Sequence, residues 1–102
     1  MNAAAAGFPV TAFTTLSIAQ GALDVVVDGL QTIPEVVEVH VTTGRGDLLC
    51  QILARSNDHL HGTIQSLVAL KGVVRTDSQL VLSTPIARTT ADLIADEEAD
   101  AR

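Results

Sequence analysis

Between Leu48 and Ala54 both alternating sets of residues are apolar. Leu48, Cys50 and Ile52 fall on one face, and Leu49 and Leu53 on the other, with Gln51 the only interruption. Successive side chains of a strand point to opposite faces, so a strand with two apolar faces is one that is buried on both. Any fold built around this segment must therefore supply a layer on each side of it.

The neighbouring segments say what one of those layers is. From Thr11 to Ala19 the residues Ala12, Thr14, Leu16 and Ile18 alternate with Thr11, Phe13, Thr15 and Ser17, which predicts a first strand. Leu23, Val26, Val27 and Leu30 recur at i, i+3, i+4 and i+7, the stripe of a helix that ends near Thr32, before Pro34. From Val36 to Thr42 a second strand places Val37, Val39 and Val41 on one face and Glu38, His40 and Thr42 on the other. After the doubly apolar third strand, Ser56 is placed to cap a helix carrying Leu60, Ile64, Leu67 and Val68, with Lys71-Gly72 at its close. A fourth strand is expected from Val73 to about Ser83, ahead of Pro85, with Thr76 and Ser78 on the face of Val74, Leu80 and Leu82.

The order is β-α-β-β-α-β. It predicts an α+β, ferredoxin-like (split βαβ) domain with a four-stranded antiparallel sheet covered on one face by both helices. The other face of the third strand then needs a cover the chain does not provide. Pairing with a second copy is the economical solution, so a homodimer at least is expected. With 102 residues, 47% of them hydrophobic, one domain can build its core without metal or disulfide staples. Residues 1–9 read as a loose leader, 10–84 as the domain, and 85–102 as an acidic tail, helical from about Thr89 to Ala101.

Charge and composition exclude several functions. The net charge is −6, and five of the twelve acids (Asp92, Asp96, Glu97, Glu98, Asp100) lie in the last eleven residues. No basic stripe offers itself to DNA phosphates, and with only Phe8 and Phe13 as aromatics there is no stacking platform for single strands. A lone cysteine in an apolar strand gives no intramolecular disulfide and points to a reducing cytoplasm. The first seven residues lack the charge and apolar length of a signal peptide or membrane span.

The loop Thr42-Thr43-Gly44-Arg45-Gly46-Asp47 carries the most chemistry. Two glycines let the backbone turn with positive φ and leave amide N–H groups uncovered, where a small anionic group can be held. Asp47 adds a place for a cation, so together they suit a zwitterion such as a free amino acid. Each residue also has a plainer reading. Gly44 and Gly46 serve a hairpin turn, Asp47 caps that turn through its own backbone, and Arg45 is a solvated tip residue or a contact to an effector carboxylate. Thr76 and Ser78 are ordinary types for a half-buried strand as well as candidate ligand contacts. His40 beside Glu38 reads as an interface pair. His59 and His61, two apart on a helix, point in different directions, a poor geometry for chelating a metal together. No metal site and no cofactor are expected.

The run Ile33-Pro34-Glu35-Val36-Val37-Glu38-Val39-His40-Val41-Thr42-Thr43-Gly44-Arg45-Gly46-Asp47-Leu48-Leu49, followed by Leu70-Lys71-Gly72-Val73-Val74-Arg75-Thr76-Asp77-Ser78, resembles the effector-binding domain of the Lrp/AsnC (feast/famine) transcriptional regulators. Gly44 and Asp47 match that family's Gly-x-x-Asp, Gly72-Val73 its Gly-Val segment, and Thr76 and Ser78 the hydroxyls of its Thr-x-Thr-like strand. The likeness runs over roughly residues 10 to 84. It implies a dimeric α/β barrel, often assembled into tetramers or octamers, of a bacterial or archaeal regulator. Amino-acid effectors would bind where dimers meet, at Thr43, Gly44, Arg45, Gly46, Asp47, Thr76 and Ser78. Two features depart from the family. The position before Asp47, commonly aromatic, is Gly46, and the segment before Val10 is too short for the usual helix-turn-helix. The chain is therefore expected not to bind DNA itself and to act by assembling with itself or with full-length relatives.

Two other readings fit the same fold. Small monooxygenases and isomerases also use dimeric ferredoxin-like barrels. They need converging polar groups, however, and no Ser-His-Asp set or paired carboxylates appear here; His40 with Glu38 is the only acid/base couple. A purely structural oligomerisation module keeps the dimer without the ligand. No enzyme activity is expected.

Overall fold

The computed structural model describes residues 6–44 and 47–100. Its elements follow in the order β1 (Val10–Ile18), α1 (Leu23–Leu30), β2 (Val36–Val41), β3 (Leu48–Ala54), α2 (Asn57–Val68), β4 (Val73–Leu80) and α3 (Thr90–Asp100). The four strands form one antiparallel sheet in the order β2-β3-β1-β4. The expected α+β, ferredoxin-like arrangement is thus present, with β3 and β1 in the centre and β2 and β4 at open edges.

The register explains the core. Ala12, Thr14 and Leu16 of β1 lie opposite Ile52, Cys50 and Leu48 of β3. All six are buried and form, with Ala54, the floor on which the helices sit. Val26 and Leu30 of α1 and Leu60 and Leu67 of α2 close over it. The apolar stripes are narrower than the sequence spacing suggests. Leu23 and Val68 are exposed, and on α2 the buried line runs through Leu60, Thr63 and Leu67 instead. Thr63 is accommodated because its hydroxyl donates to the His59 carbonyl at 3.0 Å. Ser56 caps α2 as expected, its Oγ accepting the His59 N–H at 3.1 Å. The helix closes earlier than expected, at Val68 with Ala69 as its cap, and Gly72 (φ +94°) turns the chain into β4 instead.

The second face of β3 is covered only in part. Leu49, Gln51 and Leu53 are half-buried, beside Thr11, Phe13 and Thr15 of β1, and Phe13 is 37% exposed. Within one chain the strand expected to be buried on both sides has one sealed face and one that is open.

Two bulges correct the facing of individual residues. In β2, Val36 lies opposite Ile52 and Glu38 opposite Gln51, so the register slips at Val37. Val36, Val39 and Val41 rather than Val37 share the helix side, since Val39 and Val41 lie opposite the buried Cys50 and Leu48. In β4, Ser17 lies opposite Arg75 but Ile18 opposite Val73, which leaves Val74 as the extra residue, 71% exposed. Thr76, Ser78 and Leu80 do share a face, opposite Leu16, Thr14 and Ala12. Val74 is displaced from their row, and Leu82 lies beyond the strand, which stops at Leu80.

Candidate functional site

The β2–β3 connection is a hairpin whose ends are joined by a hydrogen bond from the Thr42 N–H to the Asp47 carbonyl, 3.2 Å. Gly44 has φ +88°, with no atom of the other described residues beyond its chain neighbours within 4 Å of where a Cβ would lie, so glycine is needed there for backbone conformation. Thr43 and Gly44 are exposed at the turn. Arg45 and Gly46, which complete the expected loop site, lie outside the described residues.

Asp47 fastens this hairpin to the end of β1. Its N–H donates to the Leu16 carbonyl at 2.9 Å, and its Oδ2 accepts the Ile18 N–H at 2.8 Å. One carboxylate oxygen therefore serves the backbone, as the capping reading expects, while Oδ1 has no partner among the described residues. Beside it is a cleft of about 250 Å³ lined by Ile18–Gly21, Leu23, Val41, Thr42 and Asp47. The cleft is open, and Gln20, Thr42 and Asp47 are its residues with polar side chains. A fixed carboxylate at the mouth of a cleft can accept an ammonium or a hydroxyl through its second oxygen.

Thr76 and Ser78 are not brought to this loop within one chain. β1 lies between β4 and β3, so at about 4.8 Å per strand Thr76 is roughly 10 Å from Leu48, the first residue after Asp47. Ser78 is occupied otherwise, its Oγ lying 2.8 Å from Oγ1 of the fully buried Thr14. That pairing satisfies a hydroxyl the core would otherwise leave stranded.

Other titratable groups are either structural or exposed. Burial pushes the Cys50 thiol up to about 11, which makes it a poor nucleophile. His40 lies 3.7 Å from Glu38, both exposed on the open face. Among the described residues, no three His, Cys, Asp or Glu side chains are grouped to hold a metal, and no helix is long and apolar enough to cross a membrane.

One couple was not legible in the sequence. His59 Nδ1 accepts the Arg55 N–H at 2.8 Å, which leaves Nε2 as the protonated nitrogen, 3.1 Å from Glu35 Oε2. The backbone N–H of Glu35 and this imidazole together hold the Glu35 carboxyl below its usual range. Glu35 precedes β2 and His59 lies in the first turn of α2, twenty-four residues apart. Only the β3–α2 turn, which returns the chain over the end of β3, makes them neighbours.

The fold has counterparts among known proteins. Residues 11–91 match the Lrp/AsnC ligand binding domain. The HTH-type transcriptional regulator FL11 of Pyrococcus horikoshii is 30% identical over 80 residues, 78% of this chain and 53% of that protein. The chain thus spans about half the length of the curated relatives it matches. Among solved structures, Escherichia coli AsnC superposes with a TM-score of 0.76 at 27% identity, covering 87% of this chain and 61% of that one. The Neisseria meningitidis regulator NMB0573, solved with L-methionine, superposes at 0.79 with 25% identity, covering 88% and 60%. With the family match running from β1 into α3 and the same fold found in these regulators, the chain belongs to the Lrp/AsnC ligand-binding-domain family.

Proposed function

We propose that this chain is a ligand-sensing, self-associating module that binds a free amino acid at the hairpin corner and signals through a change of assembly. The observation that carries the reading is Asp47: a carboxylate fixed by the Ile18 N–H at the mouth of a cleft, its second oxygen unpartnered among the described residues. An α-ammonium pairs with that oxygen, and the exposed turn amides around Gly44 receive the carboxylate. The L-methionine held by the Neisseria relative supports the ligand class.

Self-association follows from the open face. Leu49, Leu53 and Phe13 lie beside one another across β3 and β1, half-buried or exposed, with Glu38 and His40 at one margin and Arg75 and Asp77 at the other. Two such faces packed together bury the apolar centre and leave charges at the rim, which is the anatomy of a stable interface and closes two sheets into a dimeric α/β barrel. Thr43, Gly44 and Asp47 then lie at the hairpin end, where a further dimer can complete a site to which Arg45 and Gly46 also contribute. Thr76 and Ser78 contribute to a ligand only from a neighbouring subunit, since in their own chain they lie two strands from the loop. The regulatory output runs through tetramers or octamers of this chain, or mixed assemblies with full-length Lrp/AsnC relatives. The ligand drives that change only by the difference in its affinity for the alternative assemblies.

The test is a thermal-shift panel of the twenty amino acids followed by light scattering with any hit. A ligand at 100 times its Kd stabilises by about 2.7 kcal/mol, which raises Tm by several degrees in a domain of this size. A selective shift with a change of mass is the expected result. Assembly indifferent to every amino acid would leave a structural oligomerisation module.

A further inference from the structure

Beyond β4 the chain leaves the body of the domain. The ladder ends where the Val81 N–H donates to the Thr11 carbonyl at 2.9 Å, and every residue from Leu82 to Glu97 is exposed. Leu82, Ile86, Leu93 and Ile94 are the large apolar side chains of this arm. Its helix α3 has a reciprocal cap: the Asp92 N–H donates to Thr89 Oγ1 at 3.1 Å, and the Thr89 N–H to Asp92 Oδ2 at 3.0 Å. Eleven residues are nonetheless too few to hold a helix in water without a packed face. The last turn carries acids and no base, against the helix dipole, so a cation beside it is stabilising. Glu97, four residues after Leu93 and three after Ile94, shares their face. The arm therefore presents an apolar pair with an acid beside it.

A surface of the complementary kind lies at the same end of the sheet. The starts of β1 and β2 and the ends of β3 and β4 come together there, with Val10 opposite Ala54, Val36 opposite Ile52 and Ala12 opposite Leu80. On the β2 side of that end a cleft of about 320 Å³ is lined by the apolar Phe8, Pro34, Val37 and Leu53 and by Glu35 and Arg55. The Glu35 carboxylate is held by His59, at 3.1 Å, whereas the Arg55 guanidinium makes no ion pair with any described residue. Leu53 belongs to the open face of the sheet, so the cleft adjoins whatever covers that face.

Charges at the margins of the open face favour one way of pairing two copies. His40 of β2 and Asp77 of β4 stand at one level of the sheet, in line with Leu49 and Thr15. A two-fold axis parallel to the strands lays the Glu38 and His40 margin of one copy along the Arg75 and Asp77 margin of the other, pairing acids with bases, whereas an axis across the strands lays each margin on its own counterpart. The parallel axis keeps like ends of the two sheets together and sets the end of β4 in one copy over the start of β2 in the other. We infer that the C-terminal arm of each copy then docks in the cleft of the other, Leu93 and Ile94 entering between Phe8, Val37 and Leu53 while Glu97 pairs with Arg55. Residues 82–89 span up to about 26 Å, well beyond the about 10 Å between packed sheets. The arm's own cleft lies three strands away across the open face, a path that the second copy blocks. Only Thr90 and Ala91 of α3 fall within the stretch that matches the family, so the exchange is not implied by the family fold. It rests on the proposed pairing of open faces and not on the ligand.

The test is an NMR measurement on two forms of the full chain, mixed and allowed to exchange subunits. One carries a spin label at Ala95→Cys, on the side of α3 away from Leu93 and Ile94, and the other is isotope-labelled without a spin label, so line broadening arises only between copies. Cys50 is buried and takes no label in the folded protein. Broadening should be strongest at the amides of Val37, Leu53 and Arg55. It should fall at Val37 and Leu53 when Arg55→Glu is placed in the isotope-labelled chain, and return when Glu97→Arg is added to the spin-labelled one. Ile94→Asp should raise the dissociation constant of the pair about ten-fold or more in analytical ultracentrifugation. Arg55, Ile94, Ala95 and Glu97 are all exposed, so these variants leave the fold standing. A pair that forms with its broadening centred elsewhere, or that is indifferent to Arg55→Glu, overturns the arm exchange and leaves the pairing of faces intact. A chain that stays single at every concentration overturns the pairing and the exchange with it.

Discussion

Gly72 is where a single methyl group should do most damage. It enters β4 with φ +94°, and its carbonyl accepts the Ala19 N–H at 2.8 Å, tying β4 to the end of β1. A Cβ there would lie 2.9 Å from Cβ of Ala22 and 2.9 Å from Cγ2 of Val26, both in the core. Gly72→Ala therefore incurs two costs: about 1–2 kcal/mol for an L-residue in the left-handed region and about 1–3 kcal/mol for overpacking against atoms that cannot swing away. The total, about 2–5 kcal/mol, is a large part of the stability of a small domain. At about 4–8 °C per kcal/mol, Tm should fall by at least about 8 °C. Gly44→Ala is the matched control, because φ is +88° there but, among the described residues beyond its chain neighbours, no atom lies within 4 Å of the added carbon. Entropy lost by the unfolded chain is the same in both variants and cancels from the comparison. Thermal and urea unfolding followed by circular dichroism, at one protein concentration, should show Gly72→Ala less stable than Gly44→Ala by about 1–3 kcal/mol. Equal losses would refute the packing argument, and no loss in either would refute both terms.

Three further outcomes follow from individual side chains. Replacing Asp47 by alanine removes the acceptor for the Ile18 N–H and should lower stability by about 1–2 kcal/mol, weaken the proposed amino-acid binding at the hairpin corner and leave the proposed dimer intact on size exclusion. Because the folded state holds Glu35 below its ordinary value of 4.5, its stabilising effect is present above that pH and is lost as pH falls through the lower folded value. Glu35→Gln should accordingly flatten the acid limb of a stability–pH profile, and an unchanged limb would count against the backbone N–H and His59 contacts that hold the carboxyl down. The Cys50 thiol is raised by burial from 9.0 to about 11, so its contribution holds below pH 9 and declines between 9 and 11, where the unfolded chain ionises first. Cys50→Ala should remove that alkaline component, and in the native protein a thiol reagent should react only after unfolding.

The alternation of apolar residues made the sheet legible, but only as far as every residue advanced the ladder by one. At Ala12, Thr14 and Leu16 it did, and the buried row follows the sequence. At Val37 and Val74 an extra residue breaks the count, and an identical valine pattern gives no local sign of it. The Ser56 cap was legible because an N-cap is chemistry between near neighbours, whereas the Glu35–His59 couple joins two turns that only the folded sheet brings together. For the site, the glycine turn and Asp47 could be read from spacing. The partner of Asp47 could not, because the Ile18 N–H belongs to a strand twenty-nine residues away. The second apolar face of β3 is of another kind. Leu49 and Leu53 are no misreading of the pattern, since they lie on the face the alternation assigns them, yet one chain covers them only by half. A sequence is shaped by every surface its folded chain meets, and the half-covered leucines are the part of this pattern that the fold of one chain does not account for and the proposed second copy does.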